Sequence, residues 1–205
     1  MKVLLVNGSS RENGCTDRAL KEVAKALNAE GIETEFFFIG SAPIADCIGC
    51  GSCRVKGKCI FDDVAVRLAE KAADFDGFVF GSPVYYAHPS ARLLAVMDRA
   101  FYSGSKNFAF KPAAAIFSAR RAGSVASMDV VNKHFSIASM PIVSSNYWNH
   151  VFGKQPSEVE EDGEGLMTMT NIGKNMAWLL KCIELGKKNG VSHPANDKVM
   201  TNFTR

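Results

Sequence analysis

Apolar residues in this chain fall into short runs separated by stretches of helical period. "KVLLV" (2–6) reads as a strand. It is followed by "TDRALKEVAKALNAEG" (16–31), where Leu20, Val23, Ala24 and Leu27 recur at i, i+3, i+4 and i+7 on one helical face, with Gly31 as a stop. "ETEFFFIG" (33–40), "GFVFGS" (77–82), "KPAAAIFSA" (111–119) and "PIVSS" (141–145) read as four further strands. Between and after them, helices are predicted over 62–75 with Asp62 or Asp63 as N-cap, over 89–102 with Pro89 in the first turn, over 124–139 and over 165–188. The five acids from Glu158 to Glu164 read as a solvated loop able to cover a site, and no element is expected in the polar tail after Gly190.

Five strand–helix alternations predict an α/β fold, a doubly wound parallel sheet with helices on both faces. A length of 205 residues suits one domain over 1–205, with no repeat and no linker. A net charge of +3 gives no case for nucleic acid. No apolar stretch approaches the ~18 residues that span a membrane. The opening "MKVLLVNGSS" lacks the longer apolar core of a signal peptide, so a cytoplasmic protein is expected.

Open parallel sheets bind ligands beyond the carboxyl ends of their strands. The loop after the first strand, "NGSSRENGCT", leads into a helix N-terminus, where free amides and the helix dipole attract anions. Ser9, Ser10 and Thr16 add hydroxyls, Arg11 adds charge, and Gly8 and Gly14 allow tight turns. The loop is neither a dinucleotide fingerprint nor a Walker loop. It suits a phosphate monoester that is held rather than transferred; the plain alternative is a polar turn with Thr16 as helix cap. "GSPVYYAHPS" after the third strand brings Pro83, Val84, Tyr85 and Tyr86 to the same rim, where tyrosines can wall a planar ring. "SARRAGS" after the fourth offers small residues, amides and the pair Arg120–Arg121, which can meet an anionic ring edge or a dinucleotide phosphate, or simply face solvent. A phosphate cradle, an aromatic wall and a polar ring-edge loop are together what a flavin mononucleotide needs.

Four of the six cysteines lie within "CIGCGSCRVKGKC", spaced C-x2-C-x2-C-x5-C. Structural disulfides are not expected in a reducing compartment. Close spacing lets successive thiolates wrap one face of an iron–sulfur cubane, and Gly49, Gly51 and Gly57 relieve the strain of such a wrap. Arg54, Lys56 and Lys58 would offset an anionic cluster. Zinc, which favours two C-x2-C units across a longer gap, a disulfide, and free or redox-active thiols remain alternatives.

Through "GSSRENGCT", the cysteine loop with "DD", "GSPVYY" and "MDRAF", the chain resembles the flavodoxin-like NAD(P)H-dependent FMN reductases over nearly its whole length, and within them the iron–sulfur flavoproteins. The resemblance implies sheet order 2-1-3-4-5 with FMN at the switch point. It implies phosphate contacts from Ser9, Arg11, Cys15 and Thr16, ring contacts from Pro83, Val84, Tyr85 and Tyr86, and a second ring edge from Ser118, Ala119, Arg120 and Gly123. It further implies a [4Fe–4S] cluster on Cys47, Cys50, Cys53 and Cys59. The family often has proline where Ser10 stands and asparagine where Cys15 stands; a backbone contact at 15 survives that change.

The expected activity is transfer of hydride from NAD(P)H to FMN and of electrons onward to a small-molecule or protein acceptor, singly through the cluster where one is held. No catalytic side chain is required, because the cofactor carries the chemistry. An FMN and iron–sulfur carrier reduced by ferredoxin, and a thiol redox sensor, are the alternatives. A homodimer or homotetramer is expected, with aromatic residues of "NFAFKPAAAIF" to spare for the contact. Cys182 is expected as a buried small residue. Asp98 and Arg99 are expected as a helix-end ion pair or interface feature, and Asn146, Tyr147 and Trp148 as a pocket or subunit wall. His150 is a weaker prospect for touching substrate.

Overall fold

In the computed structural model, which describes residues 1–197, 199, 201 and 203, the chain folds around one twisted sheet. Strand β1 (Lys2–Asn7) pairs in parallel with β2 (Glu33–Phe38) on one side and β3 (Gly77–Tyr85) on the other. Strand β3 continues in parallel to β5 (Ala113–Ala119), and β5 to β6 (His150–Phe152). The parallel order β2-β1-β3-β5-β6 is the expected 2-1-3-4-5. One further two-residue strand, β4 (His88–Pro89), turns back antiparallel on the end of β3.

The pleat of β1 explains the two-sided core. Leu4 and Val6 point to one face and pack with Phe78, Phe80, Phe101 and Phe135. Val3 and Leu5 point to the other, against Leu20, Val23, Met169 and Ile172. Helices α3 (Val64–Lys71), α4 (Ala91–Phe108) and α5 (Ser124–Ile137) cover the first face. Helices α1 (Cys15–Ala29) and α7 (Gly163–Lys188) cover the second. A single helical turn, α2 (Ser52–Lys56), lies inside the cysteine loop.

Several elements differ from expectation. Residues 141–145 are not a strand: Ile142 makes one isolated bridge to Ala113, and Ser145 then turns the chain through hydrogen bonds with Tyr147. The fifth parallel strand forms later, around buried Val151. Pro89 belongs to β4, and α4 is capped by Ser90, whose hydroxyl accepts from the Leu93 amide. The acidic stretch includes a short helix, α6 (Pro156–Glu161), which turns Val159 into the core. Asp162 does not cover the rim; it accepts from the Phe152 and Gly165 amides. Cys182 is exposed on α7. Of the aromatic residues in "NFAFKPAAAIF", Phe108 and Phe117 are buried, and half-exposed Phe110 stacks on His193. Among the described residues no helix is long and apolar enough to cross a membrane. The tail has no helix or strand from Val191 to Asp197; residues 198, 200, 202, 204 and 205 lie outside the described residues.

Candidate functional site

The carboxyl ends of β1, β3 and β5 bring three of the sequence-marked loops onto one rim. After β1 the chain doubles back through Asn7, whose side chain accepts from the Ser9 amide and donates to the Glu12 carbonyl. Ser9 is buried, and its hydroxyl accepts from the Arg11 amide. Gly8 is needed for close approach rather than for an unusual dihedral: a Cβ there would lie 2.8 Å from the Gly81 carbonyl oxygen and 2.9 Å from Leu93. The loop therefore presents its backbone. Among the described residues, none of the six successive amides from Glu12 to Asp17 donates to a protein acceptor. Six unmatched donors at the start of a fifteen-residue helix are a candidate anion cradle.

Of the cradle's expected side chains, Thr16 is buried and bonds Ser118 across the rim, Oγ1 to Oγ at 2.9 Å. The helix is not capped by Thr16; Gly14 stands at the N-cap. Arg11 is exposed. The Cys15 thiol turns away toward the Gly153 carbonyl, 3.6 Å distant, and burial pushes its pKa up. Position 15 thus offers the cradle an amide, not a side chain.

The second loop is a hairpin tip. Tyr85 pairs with His88, leaving Tyr86 and Ala87 as a two-residue turn with φ of 51° and 60°. This is the φ pattern of a type I′ turn, normally built from Asn-Gly; here two residues with Cβ atoms bear its strain. Tyr85 and Tyr86 are 52% and 104% exposed, so neither is core. The third loop packs onto this tip through Gly123, whose φ of 93° is left-handed. Arg120 and Arg121 are both exposed, and among the described residues neither has an ionic partner. The amides from Arg120 to Gly123 have no protein acceptor among the described residues. His150 lies behind this loop, its Nδ1 2.8 Å from the hydroxyl of Ser124, the first residue of α5. Burial lowers the His150 pKa, against a partial pull upward from Asp162 and Glu164.

The cysteine loop follows β2, at the edge of the same sheet. Cys47, Cys50, Cys53 and Cys59 all line one small cavity of about 30 Å³, together with Ile48, Gly51, Ile60, Phe61, Arg99 and Tyr102. Gly49, Gly51 and Gly57, with φ of 65°, 68° and 69°, make left-handed bends in the loop; Cys53 and Cys59 are half-buried, Cys47 and Cys50 exposed. No carboxylate or imidazole joins them in the lining. Among the described residues, no three His, Cys, Asp or Glu side chains converge closely enough for a single metal ion. Four thiols with no oxygen or nitrogen ligand beside them are, by residue type, the donor set that an iron–sulfur cluster takes.

Arg99 is the residue that sequence reasoning misplaced. It does not pair with Asp98, which instead bonds His134. Arg99 sits in mid-helix, 1% exposed, with all five N–H donors used. Nη1 and Nη2 fork onto Asp63 at 2.7 and 2.8 Å; the remaining donors reach the Ala45 and Phe61 carbonyls and the Cys59 sulfur at 3.4 Å. Burial works against both charges. The hydrogen bonds outweigh it, holding the Asp63 pKa below and the Arg99 pKa above their ordinary values. Arg92, two turns earlier, bonds the carbonyls of Gly40, Ser41 and Ala42. The cysteine loop is thereby fastened to α4 at both ends. The same helix begins at Ser90, whose hydroxyl donates to the Gly8 carbonyl at the cradle. Eight residues separate Ala91 from Arg99, about 12 Å of helix.

Comparison with known proteins agrees with this geometry. Residues 1–155 match the model of a family described as NADPH-dependent FMN reductase. An iron–sulfur flavoprotein of Methanocaldococcus jannaschii is 35% identical over 196 residues, 90% of this chain and 100% of that one. An iron–sulfur flavoprotein of Clostridioides difficile is 29% identical over 119 residues, 57% of this chain and 53% of its own. Among solved structures, a flavone reductase superposes with a TM-score of 0.69 at 21% identity, over 90% of this chain and 64% of that one. An archaeal flavodoxin does so with a TM-score of 0.59 at 12% identity, over 88% and 99%. These two show likeness of fold. The chain belongs to the NADPH-dependent FMN reductase family, and its general chemistry is that of an FMN-dependent oxidoreductase.

Proposed function

We propose that the chain takes hydride from NAD(P)H onto FMN held at the β1/β3 crevice, and passes electrons to an acceptor by way of a [4Fe–4S] cluster on Cys47, Cys50, Cys53 and Cys59. The observation that carries the reading is the run of six unmatched amides from Glu12 to Asp17 on the same rim as the tyrosine tip. When bound, FMN supplies hydride acceptance and one- or two-electron release, and the cluster supplies single-electron transfer.

The chain's own part is to bind and orient. The Glu12–Asp17 amides and the N-terminus of α1 would neutralise the phosphate, with Ser9 and Thr16 adding hydroxyls, Cys15 its amide, and Arg11 charge from the solvent side. Pro83, Val84, Tyr85 and Tyr86 would border the ring and keep water from one face. The backbone from Ser118 and Ala119 through Arg120 to Gly123 would donate to its polar edge, where amides stabilise negative charge. Arg120 and Arg121, which have no ionic partner among the described residues, would meet the phosphate of a nicotinamide dinucleotide phosphate. At the other end of α4, the four thiolates would hold iron, with Arg99 bearing on Cys59.

The test is anaerobic purification or reconstitution with FMN, iron and sulfide, followed by flavin, iron and sulfide assays and addition of NADPH or NADH. The expected result is flavin with about four irons per chain and rapid bleaching by a nicotinamide nucleotide. Cys50→Ser should lose iron and keep flavin. Flavin without iron would remove the cluster. Bleaching by reduced ferredoxin but by neither nucleotide would establish the carrier instead.

A further inference from the structure

We infer that Arg99, balanced by Asp63, is a positioning residue that sets the reduction potential of the cluster, through its charge and its N–H donated to the Cys59 sulfur. The inference rests on the cluster reading above.

Three observations carry it. Among the described residues, the guanidinium is the one cation lining the cysteine cavity. It is 1% exposed, so solvent screens it little. By contrast, Arg54 and Lys56 are exposed and Lys58 is drawn to Asp62 and Glu70. Second, its Nε lies 3.4 Å from the Cys59 sulfur, in donor geometry. Cluster potentials respond to net charge and to hydrogen bonds on the sulfurs. Third, the side chain cannot drift from this place. The Asp63 fork, the Ala45 and Phe61 carbonyls, and the Phe61 ring 4.8 Å from its guanidinium carbon fix its plane.

One-electron reduction adds one negative charge to the cage and no proton. A fixed positive charge and an N–H on a ligand sulfur both favour that electron, so Arg99 raises the potential. The Asp63 carboxylate opposes it. Removing each partner should therefore move the potential in opposite directions, which loss of packing alone would not do.

The test is an anaerobic redox titration of iron-loaded protein, followed by the electron-spin signal of the reduced cluster, for wild type, Arg99→Lys, Arg99→Met and Asp63→Asn. Arg99→Met should lower the one-electron reduction constant at least tenfold, a shift of about 59 mV to the negative. Arg99→Lys should move it less in the same direction, because the charge remains while the fork and the sulfur bond are lost. Asp63→Asn, which can still cap α3 through the Ala65 amide, should move it to the positive. If Arg99→Met fails to hold iron, the opposite signs of the Lys and Asn variants carry the inference. Iron-loaded variants that share the wild-type potential, or that all shift the same way, would overturn it. So would loss of iron from Arg99→Lys and Asp63→Asn alike, which would make the pair a loop fastener only. A wild type that takes up FMN but no iron would overturn the cluster reading itself, a result distinct from all of these.

Discussion

Thr16 and Ser118, 102 residues apart in the chain, share a buried hydroxyl–hydroxyl hydrogen bond of 2.9 Å. It ties the first turn of α1 to the end of β5, and so the anion cradle to the third rim loop. Ser118→Ala or Thr16→Val alone leaves one buried hydroxyl without its partner, which costs about 1–3 kcal/mol. The double variant removes both and should recover most of that loss. Urea denaturation of the four proteins measures the coupling. Additive losses would show that the two hydroxyls do not depend on each other.

Gly123 stands against the tip of the β3–β4 hairpin. A Cβ at this position would lie 2.5 Å from the Ala87 Cα, and the φ of 93° disfavours any other residue. Gly123→Ala should cost about 1–3 kcal/mol in backbone strain. It should also push the Tyr85–Tyr86 tip away from the third loop and weaken FMN binding roughly tenfold or more, equivalent to about 1.4 kcal/mol. Thermal unfolding and fluorescence titration with FMN read the two effects separately. Unchanged affinity in a destabilised variant would place the ring elsewhere than between these loops.

The sheet was legible wherever burial left a period. Strands β1, β3 and β5 stand where their apolar runs put them, because a strand buried on both faces has few polar positions to confuse the reading; edge strand β2, with no buried residue, was legible from the run Phe36–Phe38. The fifth was misplaced because "HVF" is a strand of three residues, and its one buried residue, Val151, shows no period at all. Helix α6 was missed for the same reason, Val159 being its single buried residue. The strand–helix junction with its small and hydroxyl residues was legible, and it is there that the unmatched amides from Glu12 to Asp17 lie. The hairpin tip was not: a type I′ turn is ordinarily marked by Asn-Gly, and Tyr86–Ala87 carries no such mark. Arg99 was hidden because its partners Cys59 and Asp63 lie 40 and 36 residues away, a pairing that only tertiary contact creates.

His150 supplies a dependence on pH. Its folded pKa lies below the ordinary value near 6.5 because burial disfavours the imidazolium, and Asp162 and Glu164 only partly offset this. Above the unfolded value His150 is neutral in both states and has no effect on the slope. As pH falls from about 6.5 toward the lower folded value, the unfolded chain takes up the proton first, so stability is lost on acidification. His150→Gln, which can keep a hydrogen bond to Ser124, should flatten the decline of unfolding free energy as pH falls below about 6.5. An unchanged slope would assign the dependence to other groups.

On the proposed function, Arg120 and Arg121 should favour NADPH over NADH. Both are exposed at the end of β5, beside the tyrosine tip, and among the described residues neither is engaged by a carboxylate. NADPH differs from NADH by a phosphate dianion that a free guanidinium can grip in bidentate fashion. Hydrogen bonds to charged groups are worth about 1.5–3 kcal/mol each, or roughly ten- to a hundredfold in affinity. Replacing both arginines with glutamine should therefore raise KM for NADPH about tenfold or more. KM for NADH, and kcat with either, should stay within about twofold, because the ring slot is untouched and only uniform binding is lost. Stopped-flow reduction of the bound flavin by each nucleotide gives these constants directly. Equal losses for NADH and NADPH would show that the arginines act on the shared part of the nucleotide or on the flavin edge. No loss for either would return them to the solvated surface.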